Sequence, residues 1–342
     1  MLANKLLGSK SVAPPYSGDI AVAHTTTPFI SVYPWSGSGF GSKYANPATL
    51  PTGTANGVAF SPDGANIAVA HFTSPFITVY PWSGSGFGAK YADPATLPAN
   101  FCLGVAFSPD GANIAVAHGT TPFISVYPWS SGFGTKYANP ATLPAGTGRE
   151  VSFSPTGADI AVGHATTPFI SVYPWSSGFG TKYANPATLP TGQGNGVAFS
   201  PDGANIAVAH TNSPYISVYP WSGSGFGTKY VDPATLPPST GNGVTFSSDG
   251  ANIAVANNNS PYILVYPWSS GFGTKYANPA TLPPGASYKV EFSPDNSAIA
   301  IAHDISPFIS VYAWSASGFG TKYSNPATLP PDVGNDVAFK PA

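Results

Sequence analysis

The chain has 342 residues, 12 basic and 14 acidic side chains, a net charge of -2 at pH 7 and only 8% charged residues, against roughly 25% in an average soluble domain. No basic run is present, so the charge footprint that binds phosphate backbones is missing, which argues against a nucleic-acid partner. A 42% hydrophobic and 13% aromatic content argues against disorder, and Cys102, the single cysteine, rules out an intrachain disulfide.

Residues 1–15, "MLANKLLGSKSVAPP", contain no apolar stretch long enough for a signal sequence, and no later run approaches the roughly 20 apolar residues of a membrane span. They read as an N-terminal tail ahead of one domain over residues 16–342. The chain is expected to be soluble, without membrane insertion, and cytoplasmic or virion-associated.

From "SGDIAVAH" at residues 17–24 onward the chain repeats itself. Trp35, Trp82, Trp129, Trp175, Trp221, Trp268 and Trp314 mark seven copies spaced 46 or 47 residues apart. The second copy is complete: "GVAF", "SPDG", "NIAVAH", "TSPFITVYPW", then "FGAKYADPATLP". In "SPDG", Pro62 presets the backbone angle at the second turn position and Gly64 tolerates a left-handed residue, so the chain reverses there. The stretches between such turns are rich in Val, Ile, Phe, Tyr and Thr and too short for helices. Each copy is therefore predicted to form four antiparallel strands.

One such sheet cannot bury both apolar faces, so the copies must stack, and four strands per repeat of this length is the pattern of a propeller. The first copy lacks the "VAFSPDG" strand, while the chain finishes on "GNDVAFKPA", an orphan copy of that strand. Val337, Ala338 and Phe339 are expected to add as the innermost strand to the sheet begun near Asp19, with residues 335–342 completing the first blade. The fold class is thus an all-β, closed seven-bladed β-propeller of four-stranded antiparallel blades.

"VAFSPDG" followed by an apolar strand and an aromatic third strand resembles the WD-repeat propellers, from about Tyr16 to Ala342. Tyr80, Pro81 and Trp82 stand where that family has its Trp-Asp pair, and its Gly-His pair is absent. The recurring "YPWSGSGFGTKY" and "NPATLP" are also similar to WD-like repeat proteins of tailed bacteriophages and bacteria. The resemblance implies a propeller whose channel mouth is a docking place for partners.

Six histidines recur eleven residues before a Trp, with Asn257 in the sixth copy. Equivalent positions at a radius of roughly 10 Å stand about 9 Å apart in a sevenfold ring, whereas ligands of one zinc lie within roughly 3.5 Å of each other. They are expected to make hydrogen bonds within blades, with no metal site. The repeated Trp and Lys-Tyr pairs, such as Lys43 with Tyr44, are expected to pack between blades and to guard sheet edges; repeated glycan sites are the alternative. No Ser-His-Asp spacing, metal cluster or phosphate-cradling Gly loop is visible.

The copies disagree just before the innermost strand. Asn56-Gly57, Asn195-Gly196 and Asn242-Gly243 give way to Leu103-Gly104, Arg149-Glu150, Tyr288-Lys289 and Asn335-Asp336. With Glu291, the residues Leu103, Arg149, Glu150, Tyr288, Lys289, Asn335 and Asp336 form a candidate partner-binding rim. Catalysis needs asymmetry that repeats dilute. The expectation from sequence is a non-enzymatic protein-interaction or structural module, part of an assembly such as a virion or surface appendage. Other proteins are its expected partners, a glycan-binding lectin is the alternative, and no cofactor is expected.

Overall fold

The computed structural model describes residues 16–342; the predicted tail over residues 1–15 lies outside the described residues. Seven antiparallel sheets follow one another around a ring, and none of the described residues is helical. In six sheets the innermost strand runs to "SPDG" or a close variant of it, as in the second, where Gly64 has φ +64° and its N–H donates to the Ser61 carbonyl at 2.8 Å. Asp63 fixes the turn by accepting from the Ser61 hydroxyl and the Ala65 N–H. The short polar side chain thus takes over backbone donors that the reversal would leave unpaired.

The ring closes as the orphan strand requires. Gly334–Phe339 pairs antiparallel with Gly18–His24, with Val337 opposite Val22 and Phe339 opposite Ile20. The Lys340 N–H donates to the Asp19 carbonyl at 2.8 Å, and the Tyr16 hydroxyl donates to the Lys340 carbonyl.

The fourth strand is shorter than predicted. Three sheets have four strands, whereas four sheets have three and reduce the outer pairing to one bridge, such as Trp129 with Phe133. Six copies carry Pro in the third strand, as at Pro81, and lack an N–H there. The seventh has Ala313 at that place, and its outer strand, Gly318–Lys322, is the longest at five residues.

Repetition supplies mating faces. The second strand of a blade alternates large and small residues: Ile67 and Val69 pack toward the preceding blade with Ala21, Ala23, Ile30 and Val32, while Ala68 and Ala70 receive Phe107, Ile114 and Val116 of the next. A large face meets a small one at every blade boundary, which fills the wedge between blades without voids.

The Trp side chains pack as expected. Trp82 is 4% exposed, and its ring meets Tyr44, Phe60 and Phe87 in edge-to-face contacts. Its Nε1 donates to Asp19 Oδ2 of the preceding blade at 2.9 Å. The indoles are too deeply covered to serve as stacking platforms for sugars.

Candidate active site

Every innermost strand carries a bulge near its start, where the register shifts by one residue, for example between Gly148 and Glu150. A bulge opposes two residues to one and re-aims side chains. Here it brings two consecutive positions of each blade to the channel. The first holds Asn56, Leu103, Arg149, Asn195, Asn242, Tyr288 and Asn335; the second holds Gly in four blades and Glu150, Lys289 and Asp336 in the others.

At one mouth of the channel these residues wall a cavity of about 500 Å³. Leu103, Arg149, Tyr288 and Asn335 line its sides, while Glu150, Lys289 and Asp336 form its floor and also face a second cavity of about 330 Å³ toward the opposite mouth. Glu291 lines only that second cavity. Seven of the eight residues singled out from the sequence therefore meet in one pocket, and Glu291 lies beneath it.

Sequence reading did not single out the rest of the wall. Asn56, Asn195 and Asn242 belong to it, as do Gln193, Thr211, Thr240 and Asn258. The Asn residues give little signal because they are the ordinary residues of the repeat, and the others stand at positions that vary from copy to copy. The Asn amides stitch blades together: Asn56 Nδ2 donates to the Cys102 carbonyl at 2.8 Å and Asn195 Nδ2 to the Gly241 carbonyl at 3.0 Å. Each amide is thereby fixed in the cavity wall.

The floor is an ion pair that spans the channel. Lys289 Nζ lies 2.5 Å from Glu150 Oε2, joining inner strands of blades three apart in the ring. Gly104 makes room for it, because a Cβ there would stand 2.9 Å from Glu150 Oε1. Asp336 accepts from the Val58 N–H at 2.9 Å and the Val337 N–H at 2.8 Å. Glu291 accepts from the Phe339 N–H at 3.0 Å.

These groups shift one another. Burial alone would depress the Lys289 ammonium, but Glu150, Asp336 and Glu291 around it outweigh burial and hold it protonated above its usual range. Burial raises Asp336, against the pull of Lys289 and two backbone donors, with Glu150 adding to the rise. Burial pushes Glu291 up to about 8, opposed by the Phe339 N–H and reinforced by Asp336. Arg149 is lowered by burial. Its Nε has no hydrogen-bond partner, and it pairs with no carboxylate among the described residues. The pocket thus holds a carboxylate clamped by a lysine, a guanidinium without a counter-ion and a wall of Asn side chains.

The six histidines stand apart from this pocket, one per blade. His118 Nε2 lies 3.0 Å from Ser125 Oγ and His71 Nε2 lies 2.9 Å from Thr78 Oγ1, each on the neighbouring strand. Burial lowers each of them to about 4. No group of three or more possible metal ligands occurs among the described residues. No helix there is long and apolar enough to cross a membrane.

No protein-family profile matches the chain, and no curated protein matches its sequence. Solved structures do match in fold. The periplasmic gluconolactonase of Pseudomonas aeruginosa is similar with a TM-score of 0.70 and 19% identity, over 95% of this chain and 99% of that one. A candidate 6-phosphogluconolactonase from Bacteroides fragilis gives a TM-score of 0.72 at 13% identity, over 94% and 98%. Another from Bacteroides uniformis gives 0.70 at 16% identity, over 94% and 99%. At these identities the likeness shows the fold: a seven-bladed propeller of the kind these proteins carry. A WD-repeat family is not shown.

The neighbours correct the expectation of a non-enzymatic interaction or structural module, virion component or scaffold, with a lectin as its alternative. Three of the solved propellers that this chain resembles are named as gluconolactonase or 6-phosphogluconolactonase. The expectation failed for a physical reason. Repeats dilute asymmetry along the chain, but ring closure gathers the exceptions: Glu150 and Lys289 are 139 positions apart in sequence and in contact across the channel.

Proposed function

We propose that the chain is a lactone hydrolase that works in the cavity at the mouth of the channel. The observation that carries this reading is the Lys289–Glu150 pair at the cavity floor with the unpaired guanidinium of Arg149 above it. The shared fold of the named lactonases supports it.

Opening a lactone needs water activated as a nucleophile, stabilisation of the carbonyl oxygen as it gains charge, and a proton for the departing ring oxygen. In this reading Glu150, held in place by the Lys289 ammonium, takes the proton from water as the water oxygen bonds to the carbonyl carbon. Arg149 faces the developing oxyanion. When the ring C–O bond breaks, Glu150 returns the proton to the ring oxygen, and the product is the hydroxy acid. Lys289 is a positioning residue, since it acts through Glu150. The Asn and Thr wall suits hydroxyl groups on the lactone, and the Tyr288 phenol, raised by burial and by the Asp304 charge, stays a hydrogen-bond donor. The likeness to WD repeats belongs to the wording of the blades and carries no expectation for the pocket.

The reading is tested by proton release from D-glucono-1,5-lactone and related lactones, measured against spontaneous hydrolysis. Catalysis above background is expected, with kcat lowered about 10²-fold or more in Glu150→Gln, the usual scale for a lost general base. A folded wild-type protein that leaves every lactone at its spontaneous rate overturns the proposal, as does an unaffected Glu150→Gln variant.

A further inference from the structure

At one blade boundary two variable positions of the repeat both carry Phe. The residue after the buried histidine is Phe72 in the second copy, where Thr25 and Thr211 stand in the first and fifth. The residue before the innermost strand is Phe101 in the third copy, where Thr54, Thr147 and Thr240 stand in others.

The equivalence is structural: the Phe72 N–H donates to the Thr54 carbonyl just as the Gly119 N–H donates to the Phe101 carbonyl. In the ordinary boundary the threonine hydroxyl donates across to the preceding blade, as Thr54 Oγ1 does to the Thr25 carbonyl at 3.1 Å and Thr147 Oγ1 to the Gly119 carbonyl at 3.1 Å. Phe101 cannot make that bond. Instead its ring stacks on Phe72, with centroids 4.9 Å apart and planes 11° from parallel.

The pair is not a core feature, because Phe72 is 55% exposed. Neither ring lines the cavity just described, but both stand at positions of the repeat whose counterparts in other blades do. Thr211 and Asn258, the counterparts of Phe72, line the cavity, and so do Gln193 and Thr240, the counterparts of Phe101. Leu103, two residues beyond Phe101, lines the cavity where other blades place Asn. One sector of the mouth is therefore apolar from the wall outward, and the opposite sector carries Asn195, Asn242 and Lys289.

We propose that Leu103, Phe101 and Phe72 form a subsite for an alkyl or aryl arm on the lactone, so that the preferred substrate joins a polar lactone ring to an apolar substituent. The proposal rests on the lactonase reading of the same cavity. An apolar arm fits better than a second sugar, because the threonine hydroxyl that would be available at this boundary is the group Phe101 replaces, and sugar sites need polar groups fixed beside the stacking face. Laying two or three methylenes on the rings removes enough apolar surface from water to favour the armed substrate by about tenfold or more.

The test compares δ-decalactone with δ-valerolactone, which share a ring and differ by a pentyl arm, in the wild type and in the double variant Phe72→Thr with Phe101→Thr. The variant installs residues the chain already uses at these positions and restores a threonine able to bond across the boundary. The wild type is expected to show kcat/KM about tenfold higher for the armed lactone, and the variant to lose that preference while keeping its rate on δ-valerolactone. Equal preference in both proteins overturns the subsite. A second readout separates this from failure of the lactonase reading: binding of an alkyl δ-lactam followed by NMR of labelled phenylalanine. Should no lactone be hydrolysed, shifts confined to Phe72 and Phe101 sustain the apolar subsite without the catalysis; unshifted rings end it.

Discussion

At the scale of single residues, small departures from an otherwise uniform text carry much of the physics. Asp19 and Asp159 stand where four other copies have Asn at the start of the second strand, and both are buried. Each takes two donors: Asp19 accepts from the Tyr44 hydroxyl of its own blade at 2.8 Å and from Trp82 Nε1 of the next at 2.9 Å. In the second copy the residue at this place is Asn66, whose Oδ1 takes only the Tyr91 hydroxyl, at 3.1 Å. Hydrogen bonds to a charged group are worth about 1.5–3 kcal/mol against about 1 kcal/mol for neutral ones, and losing a donor leaves the carboxylate undersatisfied. Trp82→Phe should therefore cost about 1–2 kcal/mol more in chemical unfolding than Trp129→Phe, although the two indoles are similarly buried. Equal losses would mean that shape, not the Asp19 bond, keeps Trp82 in place.

At the scale of the strand, each second strand ends on a buried His, except in the sixth copy, where Asn257 ends it. Folded, these six histidines sit near 4 rather than the ordinary 6.5, because burial disfavours the charged ring. Between these two values the unfolded chain binds protons that the folded chain refuses. Stability is therefore fully present above the ordinary histidine value and drains away as the pH falls toward 4. Each histidine contributes a slope of about 1 kcal/mol per pH unit in that window. Asp336 and Glu291 are raised and act with the opposite sign, since they hold protons more readily when folded, but two groups do not offset six. Urea midpoints should fall steeply on acidification, and His118→Asn, which copies the sixth repeat, should lessen the slope. A midpoint flat across this window would show that the rings are not held neutral.

The strand scale is also where sequence was most informative. The Trp spacing gives seven blades and the orphan "DVAF" gives the closure, because both are local patterns whose partners are dictated by hydrogen-bond ladders. The outer strand was harder to read. "FGAKYADPATLP" has the composition of a strand, yet the Pro in its neighbour and its own Gly88 and Pro94 leave it little ladder to join.

At the scale of the molecule, the ring turns distant exceptions into neighbours. The sequence shows that Arg149, Glu150, Lys289 and Asp336 break the repeat at one position, and the structure places all four at one cavity. What could not be read was that Lys289 reaches across to Glu150, since this depends on channel radius, on the bulge and on the space left by Gly104. Nor does a repeat unit announce a pocket whose wall is built from its commonest residues. Near-symmetry supplies the container, and three blades supply the chemistry.

The proposed hydrolysis depends on that pair acting as one unit, which a double-mutant cycle on lactone hydrolysis measures directly. Glu150→Gln and Lys289→Met should each lower kcat on a lactone that the wild type hydrolyses. The double variant should be no slower than the worse single one, because groups that act together are lost together. Losses that multiply, or rates that do not change, would contradict it.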